Sequence, residues 1–390
     1  MLSDLRAIQG FLRAARRAPV SILRVSLALT VFMGLVAMVG CYGHNGYFVV
    51  VSGTQQENAL WVANGTSVLE FLPSQQQAGT SDPAPHLTLS SSVFGAPQGV
   101  VFDGNGDLWV IDGGTVKTGG TVAPALYEFT AQQLSKLSTN NAPTPNVTIQ
   151  SSSFVTPEEA TFDRKGNLWV SDNGGNVVYA FTRSQLSATN TTATPMSVIT
   201  SSTAFNGPIG IAFDGGGDLY VANNGGNTIY EFQASSLPNL TVSPGTTPSD
   251  NRTLTPNVTL SNSSGSIQSP WGLAFDANGN LWSSNAITAG TVVEFTRSQI
   301  AATGDPTPNI TLSSVAVSSN QTLVSPYGIA FDPYDDLAVD SSAAPFGIAE
   351  YAQSQLLKSS ATAPTPAAFL VGSSTTLSAP AGIAFGPVIE

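Results

Sequence analysis

The stretch TFDRKGNLWVSDNGGNVVYAFT, Thr161 to Thr182, is one of several near-copies of a single phrase. VFDGNGDLWVIDGG begins at Val101, AFDGGGDLYVANNGGNTIYEF at Ala212 and AFDANGNLWSSNAITAGTVVEFT at Ala274. Aligned on their Phe-Asp pair, the copies stand at Phe102-Asp103, Phe162-Asp163, Phe213-Asp214, Phe275-Asp276 and Phe331-Asp332. Their spacing is roughly 50 to 60 residues, a period that marks repeat architectures. A sixth copy, PAGIAFG, closes the chain with Gly386 in place of the aspartate.

Each copy holds four short β signals. The first is P-x-G-I-A-F-D, as in PIGIAFD, and the second is L-W-V. A D-x-x-G-[DN] turn joins them, its glycine supplying the positive φ of a tight hairpin. The third is an alternating segment such as TIYEF or TVVEF, and the fourth is NVTI, NVTL or NITL after a Ser/Gln/Leu-rich loop. Four hairpin-linked strands repeated at this period predict an all-β fold, a β-propeller with four-stranded blades. Six L-W-V units start at Leu60, Leu108, Leu168, Leu219, Leu281 and Leu337. Six P-x-G strands start at Pro97, Pro157, Pro208, Pro270, Pro326 and Pro380. The two sets are out of phase, and ring closure resolves this: the C-terminal strand around Ile383–Phe385 completes the blade begun at Leu60. Closure also removes free sheet edges. Six blades within residues 47–390 are therefore expected. GYFVVVSG, Gly46 to Gly53, also reads as a strand and leaves seven blades as the alternative.

The first forty residues differ. Arg6, Arg13, Arg16, Arg17 and Arg24 precede an apolar run from Val25 to Gly40, followed by Cys41, the only cysteine. A basic region, a short apolar run and small residues before the break are the parts of a secretory signal. The run falls short of the roughly 20 residues of a membrane-spanning helix. MVGC, Met38 to Cys41, resembles a bacterial lipobox, which implies lipidation of Cys41; an uncleaved signal anchor is the other reading. The expected organisation is a signal peptide over 1–40, a tether over 41–46 and the propeller over 47–390. The expected location is the cell envelope, periplasmic or surface-facing, with secreted or signal-anchored forms as alternatives.

Only 10% of the residues are charged, against about a quarter in ordinary soluble domains. Residues 1–40 carry five of the 13 basic and one of the 25 acidic side chains, so the remainder has 8 basic, 24 acidic and a net charge of −16. That sign opposes phosphate neutralisation and excludes nucleic acid as the expected partner. One cysteine allows no disulfide framework.

The motif P-x-G-I-A-F-D-x-x-G-N-L-W-V-S-D-x-x-x-N-x-V resembles the repeat of NHL-type propellers and the related gluconolactonase-like superfamily, over about residues 59–390. Such propellers include ligand scaffolds, lactonases and lyases, so the resemblance carries the fold and leaves function to the site. Most repeated residues have structural explanations. The aspartate after Phe caps the hairpin; Asn64, Asp112, Asp172, Asn223 and Asn285 form a recurring turn device, broken at Ser341 with Asp340 beside it. Trp61, Trp109, Trp169, Tyr220 and Trp282 are expected to pack between blades. Glu70, Glu128, Glu231, Glu294 and Glu350, on the third strands, are expected to be solvated or hydrogen-bonded.

The position that does not repeat is the x of P-x-G, which opens the innermost strand at the mouth of the central channel. Its occupants are Gln98, Glu158, Ile209, Trp271, Tyr327 and Ala381. In metal-dependent gluconolactonases the resemblance implies Asn and Asp ligands here. A hard cation needs several converging oxygens, which Ile209, Trp271 and Tyr327 do not supply. No metal site and no cofactor are therefore expected, a divalent cation at the adjacent Glu158 and Glu159 being the exception. Glu159, which replaces the glycine found in the other copies, is with Glu158 the candidate for acid–base chemistry; two solvated acids is the plainer reading. The lyase resemblance implies a histidine base near the channel, but the only histidines, His44 and His86, lie outside the inner-strand motifs. The leading expectation is a non-catalytic monomer binding a glycan, peptide or protein through Gln98, Glu158, Ile209, Trp271 and Tyr327. Trp271 and Tyr327 serve equally well as a plug of the pore. The alternative is a divergent lactonase or lyase, and a third reading is a structural surface repeat.

Overall fold

A computed structural model describes residues 58–389 apart from 77, 118–119, 138–141, 241–249, 262–264, 318–319 and 358–363. The signal peptide, Cys41, the tether and the candidate strand 46–53 lie outside the described residues. Among those described, no helix is long and apolar enough to cross a membrane.

Six antiparallel blades form a ring. Blade 1 runs from the axis outward as Pro380–Pro387, Asn58–Asn64, Ser67–Phe71 and Leu87–Ser90. The innermost strands of blades 2 to 6 are Pro97–Phe102, Pro157–Phe162, Pro208–Phe213, Pro270–Phe275 and Pro326–Phe331. Their second strands are Leu108–Asp112, Leu168–Asp172, Leu219–Asn223, Leu281–Asn285 and Leu337–Ser341. Closure follows the expected register, with Leu60 opposite Phe385 and Val62 opposite Ile383. Gly386 stands where the other copies have aspartate because this strand runs on instead of turning, and the Phe102 ring fills the space a side chain would need.

Blades 3 and 6 carry a fifth strand that the repeat did not reveal. Arg252–Leu254, from blade 4, lies parallel to Ser197–Ser201 of blade 3. Gly79–Ser81, from blade 1, lies parallel to Ala368–Val371 of blade 6. Each strap ties a blade to its predecessor at the rim.

The core is distributed between blades. Each L-W-V aromatic meets the Phe of the next Phe-Asp pair edge-on: Trp61 with Phe102, Trp109 with Phe162, Trp169 with Phe213, Tyr220 with Phe275 and Trp282 with Phe331, at centroid separations of 5.1–6.3 Å. This geometry suits the quadrupoles of the rings. The sixth seam, between blades 6 and 1, has Ala338 in place of the ring and joins Leu60, Val62, Leu69 and Phe71 to Ala338, Ile348 and Leu370. The D-x-x-G-[DN] turns also form as expected, with Gly106, Gly166, Gly217 and Gly279 at φ of 78–90°.

Candidate functional site

The channel mouth is built by a device repeated in every blade. The last residue of each second strand turns its side chain back to cap the loop entering the innermost strand. Asp112 accepts from Gly95 N and Ala96 N, Asp172 from Val155 N and Thr156 N, and Asn64 from Ser378 N and Ala379 N, all at 2.8–3.1 Å. In blade 6, Ser341 Oγ takes this role by accepting from Val324 N. The cap fixes the proline, and a register irregularity follows it at the x residue before regular pairing resumes.

Blade order then sets which x residues oppose one another. Trp271 of blade 5 stands across the ring from Gln98 of blade 2, and Tyr327 of blade 6 across from Glu158 of blade 3. Trp271 and Tyr327 are half-buried and stacked face to face, with ring centroids 3.6 Å apart and planes 9° from parallel. Gln98 is also half-buried, whereas Glu158 is only 6% exposed. Ile209 is fully buried and offers the mouth no surface, so of the three apolar candidates only Trp271 and Tyr327 remain partly exposed. Ala381 is buried as well.

Glu158 and Glu159 point to different environments. Glu158 Oε1 accepts from Asn173 Nδ2 at 3.5 Å, and burial, with a smaller push from Asp172, lifts its carboxyl to about 7. Glu159 projects into the axial space vacated by glycines. A Cβ on Gly382 would stand 3.0 Å from Glu159 Oε1, and one on Gly99 would stand 3.4 Å from Oε2. Enclosure there, and then the charges of Asp340 and Glu158, raise its carboxyl well above the ordinary range.

Asp340 is the site residue that sequence reasoning passed over. It is fully buried, accepts from Tyr327 N at 3.3 Å and Gly328 N at 3.1 Å, and is pushed up to about 7 by burial. The same position holds Ser284 in blade 5, whose Oγ accepts from Gly272 N and donates to Tyr327 O across the blade seam. Asp340 thus puts a carboxyl where another blade has a hydroxyl. The signal was the acid one residue early, beside Ser341, since a shift of one reverses a strand side chain's face.

The recurrent third-strand glutamates are not solvated. Glu70, Glu128, Glu231 and Glu294 are buried, and three have clear partners: His86 Nδ1 at 2.8 Å from Glu70 Oε2, Asn146 Nδ2 donating to Glu128 and Asn309 Nδ2 to Glu294, both at 2.6 Å. This places His86 at the rim of blade 1. Among the described residues, the one set of three acidic groups with ligand atoms within 4.8 Å of one another is Asp103, Asp107 and Glu128, away from the channel mouth.

No family model matches the chain, and no curated protein matches it in sequence. Solved structures do match in shape. A protein of unknown function from Bacteroides caccae aligns at a TM-score of 0.54 and 9% identity, over 85% of this chain and 99% of that one. The crystal structure of a nidogen–laminin complex gives 0.51 and 12% over 84% and 98%. A putative 6-phosphogluconolactonase from Bacteroides fragilis gives 0.50 and 14% over 86% and 99%. The chain is a six-bladed β-propeller similar in fold to these three, and at such identities the likeness extends to the fold alone.

Proposed function

We propose that this propeller binds a ligand with a flat apolar face and several hydroxyls, a glycan above all, at the channel mouth without transforming it. The observation that carries the reading is the Trp271–Tyr327 stack, half-exposed on adjacent inner strands, with Gln98 and Glu158 across the ring. Stacked rings present a rigid apolar face at little entropic cost, and polar groups opposite fix orientation. A carboxyl raised to about 7 suits hydrogen bonding to neutral hydroxyls at neutral pH better than capture of a cation. A protein partner is the wider form of the reading, and one structure of this shape is a nidogen–laminin complex.

The test is calorimetric titration of the full chain with cello-, malto-, xylo- and chito-oligosaccharides, repeated on Trp271→Ala and Tyr327→Ala. Binding weakened at least about tenfold in both variants, roughly the 1.4 kcal/mol of one lost stacking face, supports the reading. Binding unaffected by either substitution sinks it.

A second reading is favoured by Glu158 itself, since a carboxyl near 7 is matched to general acid–base work at neutral pH. A screen of lactones at pH 6–8 tests it: hydrolysis lost in Glu158→Gln moves the protein to the lactonase class. The exported, envelope-tethered, monomeric state rests on residues 1–46 and composition alone. Its check is metabolic labelling with a fatty acid, with incorporation expected in the native chain and absent in Cys41→Ser.

A further inference from the structure

The turns at the face opposite the mouth are not equivalent. In blades 3 and 5 the D-x-x-G-N turn is internally satisfied. Asn167 Nδ2 donates to Asp163 Oδ2 at 2.8 Å, and Trp169 Nε1 donates to the same oxygen at 3.3 Å. Asn280 and Trp282 repeat this on Asp276 at 2.8 and 3.3 Å. Blade 2 has Asp107 at the asparagine position, so a second carboxylate replaces the donor. Glu128 adds a third: it pairs across the sheet with Trp109, which stands two residues after Asp107, so all three side chains share one face.

Two independent observations then coincide. Ligand oxygens of Asp103, Asp107 and Glu128 lie within 4.8 Å of one another. The Trp109 indole N–H, on a residue 2% exposed, has no hydrogen-bond partner, although its counterparts in blades 3 and 5 donate into the same turn. Trp109, Asp103 and Glu128 line one cavity of about 950 Å³ between blades 2 and 3. A buried orphan donor beside three converging carboxylates is costly unless something bridges them.

We propose that this cavity holds a hard divalent cation of the calcium class, coordinated by Asp103, Asp107 and Glu128, with a bound water accepting the Trp109 N–H. Oxygen ligands 2.3–2.6 Å from such an ion stand at most about 5 Å apart, which the triad meets. The carboxylates are also positioned in advance. Asp103 Oδ1 accepts from Asn105 N and Asp107 N, Asp107 Oδ1 from Ala131 N, and Glu128 Oε2 from Asn146 Nδ2. The far wall of the cavity, from blade 3, carries Arg164, Lys165 and Arg183, so the remaining coordination positions face water or an anionic group.

The substitution Asp107→Asn separates the outcomes, because it recreates the turn of blades 3 and 5. The full chain is melted in EDTA and in millimolar Ca²⁺, and titrated with Tb³⁺ while exciting tryptophan. Ca²⁺ is expected to raise the Tm of the native chain by about 3 °C or more. Tb³⁺ emission is expected to appear and to be displaced by Ca²⁺. Asp107→Asn should melt no lower than the native chain in EDTA while losing both responses, and Trp109→Phe should keep the Ca²⁺ shift but lose most of the sensitised emission. Absence of a Ca²⁺ shift and of Tb³⁺ emission in the native chain overturns the proposal. So does a Ca²⁺ response that survives both Asp107→Asn and Glu128→Gln.

Discussion

Asp340 is held by two backbone N–H groups, yet removing its charge from water outweighs them and lifts its carboxyl to about 7. Glu158 and Glu231 are raised to about 7, Asp332 to about 6 and Glu350 to about 8, in each case chiefly by burial. Between the ordinary carboxyl range and these values, the folded chain keeps protons that the unfolded chain releases. Through these groups stability falls as pH rises from the unfolded carboxyl range near 4 to about 8, the reverse of the effect of ionised, paired carboxylates. Asp340→Asn is expected to flatten this slope, raising the Tm at pH 8 by roughly 2–4 °C and by much less at pH 4. Thermal melts at both pH values check it, and parallel slopes for native and variant chains would remove Asp340 from the account. Little of this was legible beforehand. The acid's one-residue displacement was visible, but its proximity to Glu159 depends on ring closure bringing blade 6 against blade 1.

The strand-end caps were far more legible, because a residue type recurring four positions after each leucine needs a local cause. Asp172 shows the cause: it is fully buried and accepts from Val155 N, Thr156 N and Gly175 N at 2.8–2.9 Å. Asp172→Ala leaves three backbone donors without that acceptor and is expected to cost about 3 kcal/mol. Asp172→Asn, the choice made in blades 1, 4 and 5, should cost under about 1 kcal/mol, because an amide oxygen keeps one or two of the bonds. Chemical denaturation measures both, and equal losses would mean that charge, not acceptance, is what the site requires. The third-strand glutamates are hydrogen-bonded, one of the two expected states, at Glu70, Glu128 and Glu294, but their burial was not legible. Sequence alternation separates core from solvent only when one face of a sheet is wet. Here each blade is sandwiched between two others, VVYAF and ALYEF are buried at every position, and Glu128 goes inward with its neighbours.

Closure makes the molecule depend on residues farthest apart in the chain. Blade 1 takes its axial strand from Pro380–Pro387, its strap Gly79–Ser81 reaches back to blade 6, and Ile389 N donates to the buried Glu70 Oε1. The first and last described blades' strands are thus joined at the axis, at the rim and through the Phe102–Gly386 contact. Opening the seam at blade 1 exposes two blade faces and an unpaired strand, a template for association between chains. Deleting residues 380–390 is expected to abolish a single cooperative unfolding transition and to yield aggregates. The antiparallel register places Pro387 opposite Asn58, so residues 380–389 can instead be fused ahead of residue 58 through a short flexible linker, with the new chain ending at 379. That rearranged chain keeps every blade strand and should recover the Tm and the denaturant m-value of the parent. If the truncated chain instead melts like the parent, the last strand is dispensable and closure is not what holds the ring. If truncation and rearrangement fail alike, the order of synthesis matters, with blade 1 waiting on a strand that must arrive last.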